Sequence, residues 1–388
     1  MLHPLDDIRK FIDQLIRDSE DLITHNRYGY HPKHLNRYRR YIAKLTHYFA
    51  NPDMRDLGVP FSDTDPHWLY AVYIALINFF THRKQYYRIA QPTQSYTYEL
   101  ADEFIIFGDA GTNDVHLRNL TAAIDAQNVR QCIHLGDIYY AGTKEECKTF
   151  GSMLPRTETW SLIGNHEYIS AGQGFFEELI DTGLLGRSPD HNEEKGKQVT
   201  SFFALANSIH KILVVGLDTG YKCENFVLPP GSEEMDYDTH LDKAQHQWLT
   251  RCYHQHPDYQ IIVLTHHQPC AARWKDQQFN TRLVEQVYQG RDIKLWVAGH
   301  DHHCVVYPHS YGPINQVLTI GHATMPSHIS SYPADNGVFT IDRKAIPPAI
   351  DEWHDGGFVK VSLVTKMITF YYVSRVDGTC TAYYTLPL

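Results

Sequence analysis

From residue 103 onward the chain repeats one pattern, in which a short apolar run is followed by glycine, a carboxylate, an amide or histidine. Short continuous apolar runs are typical of strands that are buried on both faces. Helix-like stretches, such as 114–127 and 241–254, separate several of the runs. The pattern therefore predicts an α/β domain whose polar groups gather beyond the carboxyl ends of its strands. Six runs have this form: EFIIFGDAG, QCIHLGDIYY, TWSLIGNHE, KILVVGLDT, QIIVLTHHQP and KLWVAGHDHH.

The spacing of three strand-end residues predicts that they meet. Asp109, Asp137 and Asn165 are separated by 28 residues each time, about the length of one βαβ unit. Adjacent parallel strands would bring these side chains together. His300 and His302 alternate, so a strand end would place both on one face. Mixed oxygen and nitrogen donors suit transition metals, and so large a set is natural for two ions, as in hydrolases of phosphate esters. The full set is Asp109, Asp137, Tyr140, Asn165, His166, His266, His300 and His302.

The blocks GDAG, GDIYY, GNHE, VLTH and GHDH, in this order, resemble the calcineurin-like metallophosphoesterase superfamily. More narrowly, they are similar to the purple acid phosphatase pattern GDxG, GDxxY, GNH(D/E), VxxH and GHxH. Most metallophosphoesterases open with DxH, whereas this chain has Gly111 in the third position. Tyr140 stands where purple acid phosphatases carry a compensating tyrosine. The resemblance implies an α/β fold in which helices flank a two-sheet β-sandwich (αββα).

The resemblance also implies a set of residue roles. Asp137 would bridge two ions, and the first of them would be Fe(III) because a phenolate is a hard anionic donor. The second ion would be Fe, Zn or Mn. The first ion would be bound by Asp109, Asp137, Tyr140 and His302, and the second by Asp137, Asn165, His266 and His300. His166 would bind the phosphate or protonate the leaving alkoxide, and Glu167 would orient His166. His267 either contributes to catalysis or, as the strand neighbour of His266, points away.

These roles predict a phosphatase that hydrolyses phosphate monoesters, with a metal-bridging hydroxide attacking phosphorus in line. The substrate would be a phosphorylated small molecule or a phosphoprotein. A phosphodiesterase or nucleotide-cleaving enzyme using the same site is the first alternative. The second is a binding or scaffold protein with a vestigial site. The net charge of −10 argues against nucleic acid as a stable partner.

The two ends of the chain differ from its centre. Apolar residues recur at helical spacing near the start, and no βαβ pattern precedes residue 100, which predicts a helical module over 1–95 and a catalytic domain over 96–388. The apolar stretch 68–80 is expected to be a buried helix that docks this module onto the catalytic domain, rather than a helix that lies on a membrane surface, with 91–95 as the linker. The segment 358–386 reads as antiparallel strands with an Asp-Gly turn at 377–378.

Targeting signals are missing from the sequence. The first 20 residues are charged throughout and have no apolar signal-peptide core. No apolar run is long enough to cross a bilayer. The seven cysteines form no CxxC pair and fit a reducing compartment. These features predict a cytoplasmic protein, or one exported without a recognisable N-terminal signal peptide.

Overall fold

The computed structural model describes most of the chain after residue 95. The described residues are 96–111, 114–187, 196–221, 239–270, 280–307, 310–325, 339–340 and 354–388, together with Gln14, Arg17, Tyr70, Ala71, Ile74, Ala75 and Asn78. These seven N-terminal positions are helical. The remainder of the predicted helical module and its linker at 91–95 lie outside the described residues, so the domain division at residue 95 stays a prediction.

The described residues form fourteen strands. In chain order they are β1 (Thr97–Glu99), β2 (Glu103–Phe107), β3 (Gln131–His134), β4 (Glu158–Ser161), β5 (Phe203–Asn207), β6 (Ile212–Leu217), β7 (Gln260–Thr265), β8 (Ile293–Ala298), β9 (Cys304–Val306), β10 (Val317–Ile320), β11 (Phe339–Thr340), β12 (Gly356–Ser362), β13 (Met367–Val373) and β14 (Cys380–Pro387). All six predicted strands are present, as β2, β3, β4, β6, β7 and β8. Sequence reasoning missed β1, β5, β9, β10 and β11.

Five α-helices follow residue 100 in the described ranges. They are α1 (Asp114–Asp125), α2 (Lys144–Gly151), α3 (Asn165–Ile169), α4 (Lys243–Gln255) and α5 (Thr281–Tyr288), and a π-helix spans Phe175–Ile180. The start of α2 is fixed by a capping box in which Thr143 and Glu146 exchange side-chain and backbone hydrogen bonds. Asp242 and Asn280 cap α4 and α5 in the simpler way, through one side-chain oxygen.

The strands form two sheets. One has the order β1-β5-β6-β7-β8-β10-β9-β11, and the other has the order β14-β13-β12-β2-β3-β4. In the second sheet, β2, β3 and β4 are parallel neighbours, with Gln131 paired to Phe104 on one side and Glu158 on the other. This pairing confirms the prediction from the 28-residue spacing. The C-terminal strands β12, β13 and β14 are antiparallel, as predicted, and Gly378 in the turn before β14 has a φ of 75°.

Three hydrophobic layers hold the fold together. The central layer lies between the two sheets and includes Phe104, Trp160 and Leu264. A second layer packs Trp248 of α4 and Leu283 of α5 on the outer face of the eight-stranded sheet. The third packs helix α1, helix α2 and the π-helix on the six-stranded sheet. Burial of a side chain of this size contributes about 1.5–3 kcal/mol. The result is the predicted sandwich of two sheets flanked by helices.

Two further properties hold across the described ranges. No helix there combines the length and the hydropathy that a bilayer span needs. The six cysteines that lie within those ranges form no disulfide.

Candidate metal centre

The candidate ligands lie on loops that leave the two sheets at one end. Asp109 and Asp137 follow β2 and β3, Asn165 opens α3, and His266 follows β7. Asp109, Asp137 and His300 have φ values of 61°, 65° and 64°. Residues other than glycine rarely adopt this left-handed conformation, and such strain is concentrated at functional sites.

The prediction that His300 and His302 lie on a strand was wrong. Strand β8 ends at Ala298 and β9 begins at Cys304, so both histidines belong to the connecting loop. The left-handed backbone at His300 breaks the alternation that a strand would impose. The two imidazoles still reach the site, but they join two separate groups of donor atoms.

One group is rich in imidazole. The Nε2 atom of His266 lies 2.9 Å from Oδ1 of Asn165 and 3.2 Å from Nδ1 of His300. The same Nε2 is 3.2 Å from Oδ2 of Asp137, and Nδ1 of His300 is 3.0 Å from Oδ1 of Asn165. Four donors around one ion at the usual distance of about 2.0 Å are separated by about 3.3 Å in a tetrahedron. These residues therefore fit a metal ion. We call Asn165, His266, His267 and His300 the imidazole group.

The tautomer of the His266 ring favours metal binding. Its Nδ1 lies 3.0 Å from the carbonyl oxygen of Leu135. A carbonyl can only accept a hydrogen bond, so Nδ1 carries the proton and Nε2 keeps its lone pair. That lone pair faces the imidazole group. A backbone carbonyl behind a ligand histidine is a common way to fix the tautomer of the ring.

The second group is rich in carboxylate. Asp109, Asp137 and His302 each offer one donor atom, and these atoms lie within 4.8 Å of one another. We call these three residues the carboxylate group. Oδ2 of Asp109 accepts a hydrogen bond from the backbone N–H of His300, whereas Oδ1 is buried and has no hydrogen-bond partner. A buried carboxylate oxygen without a donor is costly, and a cation would satisfy it. The carboxylate group therefore also fits a metal ion.

The pKa values of the two buried aspartates are shifted in opposite directions. Burial and the neighbouring Asp137 carboxylate hold the pKa of Asp109 well above its ordinary value. Burial also opposes ionisation of Asp137, but His166, His266 and His300 together bring its pKa well below the ordinary value. The surroundings therefore favour the ionised form of Asp137, which lies between the two groups. This position is the one that a bridging ligand needs.

His166 and Glu167 have different partners from those predicted. Nδ1 of His166 lies 2.6 Å from the carbonyl oxygen of Tyr139, and its Nε2 lies 3.5 Å from Oδ2 of Asp137. The carboxylate of Glu167 accepts hydrogen bonds from the backbone N–H groups of Asp137, Ile138 and Gly164. Burial and the charge of Asp137 raise the pKa of Glu167 to about 7. The carbonyl of Tyr139 thus makes the contact with His166 that we expected from Glu167, which instead joins the Asp137 loop to α3.

His267 belongs to the imidazole group rather than pointing away from it. One of its ring nitrogens lies within 4.8 Å of donor atoms of His266 and His300. Its Nδ1 is 3.0 Å from Oγ1 of Thr219, which also accepts a hydrogen bond from the backbone N–H of His267. Sequence reasoning missed Thr219, although it ends the run KILVVGLDT and therefore occupies the same kind of strand-end position as the predicted ligands.

The two tyrosines of GDIYY occupy different surroundings. Tyr140, the predicted phenol ligand, packs against a cluster that contains Ala71, Ala75 and Ile169. The ring of Tyr139 lies against Gly111, where an added Cβ would come within 2.6 Å of it. Gly111 also has a φ of 113°, so glycine is required there for two reasons.

A loop from a distant part of the sequence holds Asp109 in place. The backbone N–H groups of Thr324 and Met325 both donate to the carbonyl of Asp109, and Oγ1 of Thr324 accepts from the N–H of Gly111. Nη2 of Arg375 donates in turn to the carbonyl of Thr324 at 2.8 Å. Neither Thr324 nor Arg375 lies in a recognisable motif, so no local signal in the sequence points to them.

Among the solved structures that resemble this chain, three cover 72% to 74% of it, each with a TM-score below 0.5. One is purple acid phosphatase PPD1 from seeds of yellow lupin (Lupinus luteus), with 15% identity, coverage of 74% of this chain and 54% of that chain, and a TM-score of 0.41. Another is GAP50, the anchor in the inner membrane complex of Plasmodium, with 13% identity, coverage of 74% and 88%, and a TM-score of 0.45. TT1561 of Thermus thermophilus has 10% identity, coverage of 72% and 97%, and a TM-score of 0.40. The chain spans about half the length of the lupin protein.

Comparisons of sequence give a more definite result. No curated protein matches the chain. The family model of the calcineurin-like phosphoesterases matches residues 103–304. This segment is more than half of the chain, and it runs from β2 to the first residue of β9, so it contains every block that carries a candidate ligand. The chain therefore belongs to the calcineurin-like phosphoesterase family.

Proposed function

We propose that the chain is a binuclear metal-dependent phosphatase that hydrolyses phosphate monoesters. The observation that carries this proposal is the placement of Asp137 between two distinct donor groups, with its Oδ2 3.2 Å from Nε2 of His266. Members of this family generally bind two metal ions. A shared carboxylate is what holds two ions close enough to act on one phosphate. We propose residues 96–388 as the catalytic unit.

The two groups suit different ions. The carboxylate group, with two anionic oxygens, favours a hard ion such as Fe(III), and Tyr140 is our proposed phenol donor to it. The imidazole group, with neutral nitrogens and one amide oxygen, favours a divalent ion such as Fe, Zn or Mn. When bound, the two ions would supply Lewis acidity toward the phosphate oxygens and toward a water molecule.

His166 is our proposed acid. The Tyr139 carbonyl keeps a proton on Nδ1, so Nε2 is the atom that exchanges a proton with the substrate. Nε2 lies 3.5 Å from Oδ2 of Asp137, beside the metal centre. A proton on Nε2 would pass to the oxygen of the leaving alkoxide. Glu167 keeps this arrangement rigid through its three backbone contacts, and it acts on the reaction only through position.

His267 is our proposed phosphate contact. Oγ1 of Thr219 is 3.0 Å from its Nδ1, which fixes the plane of the ring. The ring centre lies 4.6 Å from that of His300, so His267 stands at the edge of the imidazole group. A phosphate held there would accept a hydrogen bond from the other ring nitrogen. This geometry supports a binding role for His267 and leaves the proton transfer to His166.

The test is hydrolysis by the purified full chain, loaded with metal, of aryl and alkyl phosphomonoesters, phosphodiesters and cyclic nucleotides. We expect monoesters to be cleaved at least about tenfold faster than diesters, because a diester carries one negative charge fewer for the two ions to stabilise. Faster cleavage of diesters would assign a phosphodiesterase instead. Equal rates for the wild type and Asp137→Ala would overturn any catalytic role for the site.

The visible spectrum tests the phenol ligand separately. A tyrosinate bound to Fe(III) gives a charge-transfer band, which we expect to vanish in Tyr140→Phe. Tyr139→Phe is the matched control, because its ring lies against Gly111 in the neighbouring position. Loss of the band in Tyr139→Phe alone would transfer the ligand role to Tyr139.

A further inference from the structure

The described residues between 70 and 78 form one face of a helix. Tyr70, Ala71, Ile74, Ala75 and Asn78 are all helical, and their spacing places them on the same side. Ala71 and Ala75 are buried, whereas the other three are half-buried. We call these five residues the docking face. Their burial shows that other residues cover the docking face, and the contacts identify those residues.

The docking face packs on two segments that carry candidate ligands. Ala71 and Ala75 form a hydrophobic cluster with Ala141 and Ile169, and Tyr140 packs against the same cluster. Tyr140 comes three residues after Asp137, and Ile169 is the last residue of α3, which begins with Asn165. One face of the N-terminal segment therefore contacts both the GDIYY block and the GNHE helix.

A hydrogen bond from Asn78 fixes the register of this packing. Nδ2 of Asn78 donates a hydrogen bond of 2.6 Å to the carbonyl of Ile169. That carbonyl belongs to the last turn of α3, where carbonyls lack partners inside the helix. This contact anchors the docking face to the end of α3.

The small size of the central residues matters as much as the polar contact. Ala71 and Ala75 are 4% and 7% exposed, so a larger side chain at either position would push the helix away from Tyr140. Behind the interface, Oγ of Ser170 donates to the carbonyl of Gly142 and ties α3 to the GDIYY block. The docking face therefore covers a junction of two ligand-bearing segments.

We propose that this segment of the chain is a positioning element for the metal centre. The docking face fixes Tyr140 and the end of α3, so the donor groups reach full metal affinity only when the face is docked. The inference rests on the proposed function only for the identity of the site as a metal centre. The sequence alone left the role of the N-terminal segment open. The proposal gives this segment a binding partner within the same chain, namely the GDIYY block and the end of α3.

The test is Zn²⁺ affinity, measured on metal-free full-length protein by competition with a chelator. We expect Ala75→Asp to weaken the affinity at least about tenfold, as loss of a supporting contact around a metal site does. The matched control is Ala122→Asp, which places the same charge on an exposed alanine of α1 and should change the affinity less than about twofold. Unchanged affinity in a folded Ala75→Asp variant would overturn the proposal.

A second variant decides the matter if Ala75→Asp does not fold. Asn78→Leu keeps the size of the side chain and removes the donor to Ile169, so we expect a loss of about three- to tenfold in Zn²⁺ affinity. Wild-type affinity in Asn78→Leu would then overturn the proposal. Because Zn²⁺ binding is measured without turnover, a wild type that binds Zn²⁺ but cleaves no phosphoester would contradict the proposed function and leave the docking result intact.

Discussion

The carboxylate group and the imidazole group lie side by side but are built by different means. In the imidazole group, rings are oriented through their second nitrogens, as with His266 against the Leu135 carbonyl and His267 against Thr219. In the carboxylate group, the aspartates are held by backbone N–H groups, from His300 to Asp109 and from His166 to Asp137.

This difference indicates that the imidazoles determine the coordination geometry of the site, whereas the carboxylates determine its charge. Imidazoles whose second nitrogens are hydrogen-bonded present neutral lone pairs in fixed directions. This favours an ion whose coordination geometry matches those directions. Buried carboxylates supply negative charge, which would favour a hard cation. Asp137 belongs to the carboxylate group and also contacts His266 of the imidazole group, so a change there should affect both groups, whereas changes elsewhere should separate them.

The largest effect is expected from Asp137→Asn. The substitution keeps the size of the side chain but removes the charge shared by both groups. We expect kcat to fall about 10³-fold or more, as when a central electrostatic contact of an active site is lost. Metal analysis should show loss of both ions. Retention of two ions per chain would show that the two groups are independent of Asp137.

A pair of variants should separate the two groups. Asp109→Asn replaces an anionic oxygen of the carboxylate group by a neutral amide oxygen, and His266→Gln replaces an imidazole nitrogen of the imidazole group by an amide. We expect each variant to lose mainly one ion and to reduce kcat about 10²-fold. Metal analysis of both proteins after loading with iron and zinc measures which ion each variant has lost. Loss of the same ion in both variants would contradict the division into two groups.

A smaller effect is expected at Thr219. Thr219→Val removes the hydroxyl that contacts Nδ1 and the backbone N–H of His267 while preserving the shape of the side chain. We expect about a tenfold loss of kcat/KM, mainly through KM, because His267 would lose its orientation toward bound phosphate. Thr219→Ser, which keeps the hydroxyl, is the control. An equal loss in both variants would point to packing rather than to the hydrogen bond.

The smallest effect concerns the loop that supports the carboxylate group. His322 is buried on this loop, and burial, with lesser effects of His354 and Arg375, lowers its pKa to about 3. The folded state therefore holds the neutral ring, and the stability this gives is present above pH 6.5 and is lost as the pH falls toward 3. The slope from this one group is about 1.4 kcal/mol per pH unit.

Urea unfolding of metal-free protein at several pH values measures this slope. The variant His322→Asn lacks the titrating ring, so its free energy of unfolding should fall less steeply below pH 6.5 than that of the wild type. Equal slopes in the two proteins would mean that protonation of His322 does not contribute to the loss of stability below pH 6.5.

Much of the fold could be predicted because strand runs and their spacing are local features. The 28-residue interval fixes Asp109, Asp137 and Asn165 on neighbouring parallel strands, and the structure pairs β2, β3 and β4 accordingly. Strand β5 was missed because two of the five residues of FALAN are alanine, which is depleted in strands. The capping box of Thr143 and Glu146 could have been found from its sequence pattern and was overlooked.

The candidate site was less predictable where contacts are long-range. The blocks indicate which residues gather, but not that His300 leaves the strand in a left-handed conformation. They also give no sign that Tyr139 contacts His166 through its carbonyl. The support of Asp109 by Thr324 and Arg375 depends on segments that are more than 200 residues away along the chain, and such pairing has no local signature.

The contact between Tyr139 and Gly111 restricts which residues position 111 can accept. A histidine there would create a DxH sequence, but its Cβ would collide with the ring of Tyr139. A smaller residue at position 139 would remove this collision and leave a gap beside Gly111. The left-handed φ of 113° at position 111 would still disfavour any side chain. We therefore expect Gly111→His to destabilise the protein and Tyr139→Ala to rescue it only in part.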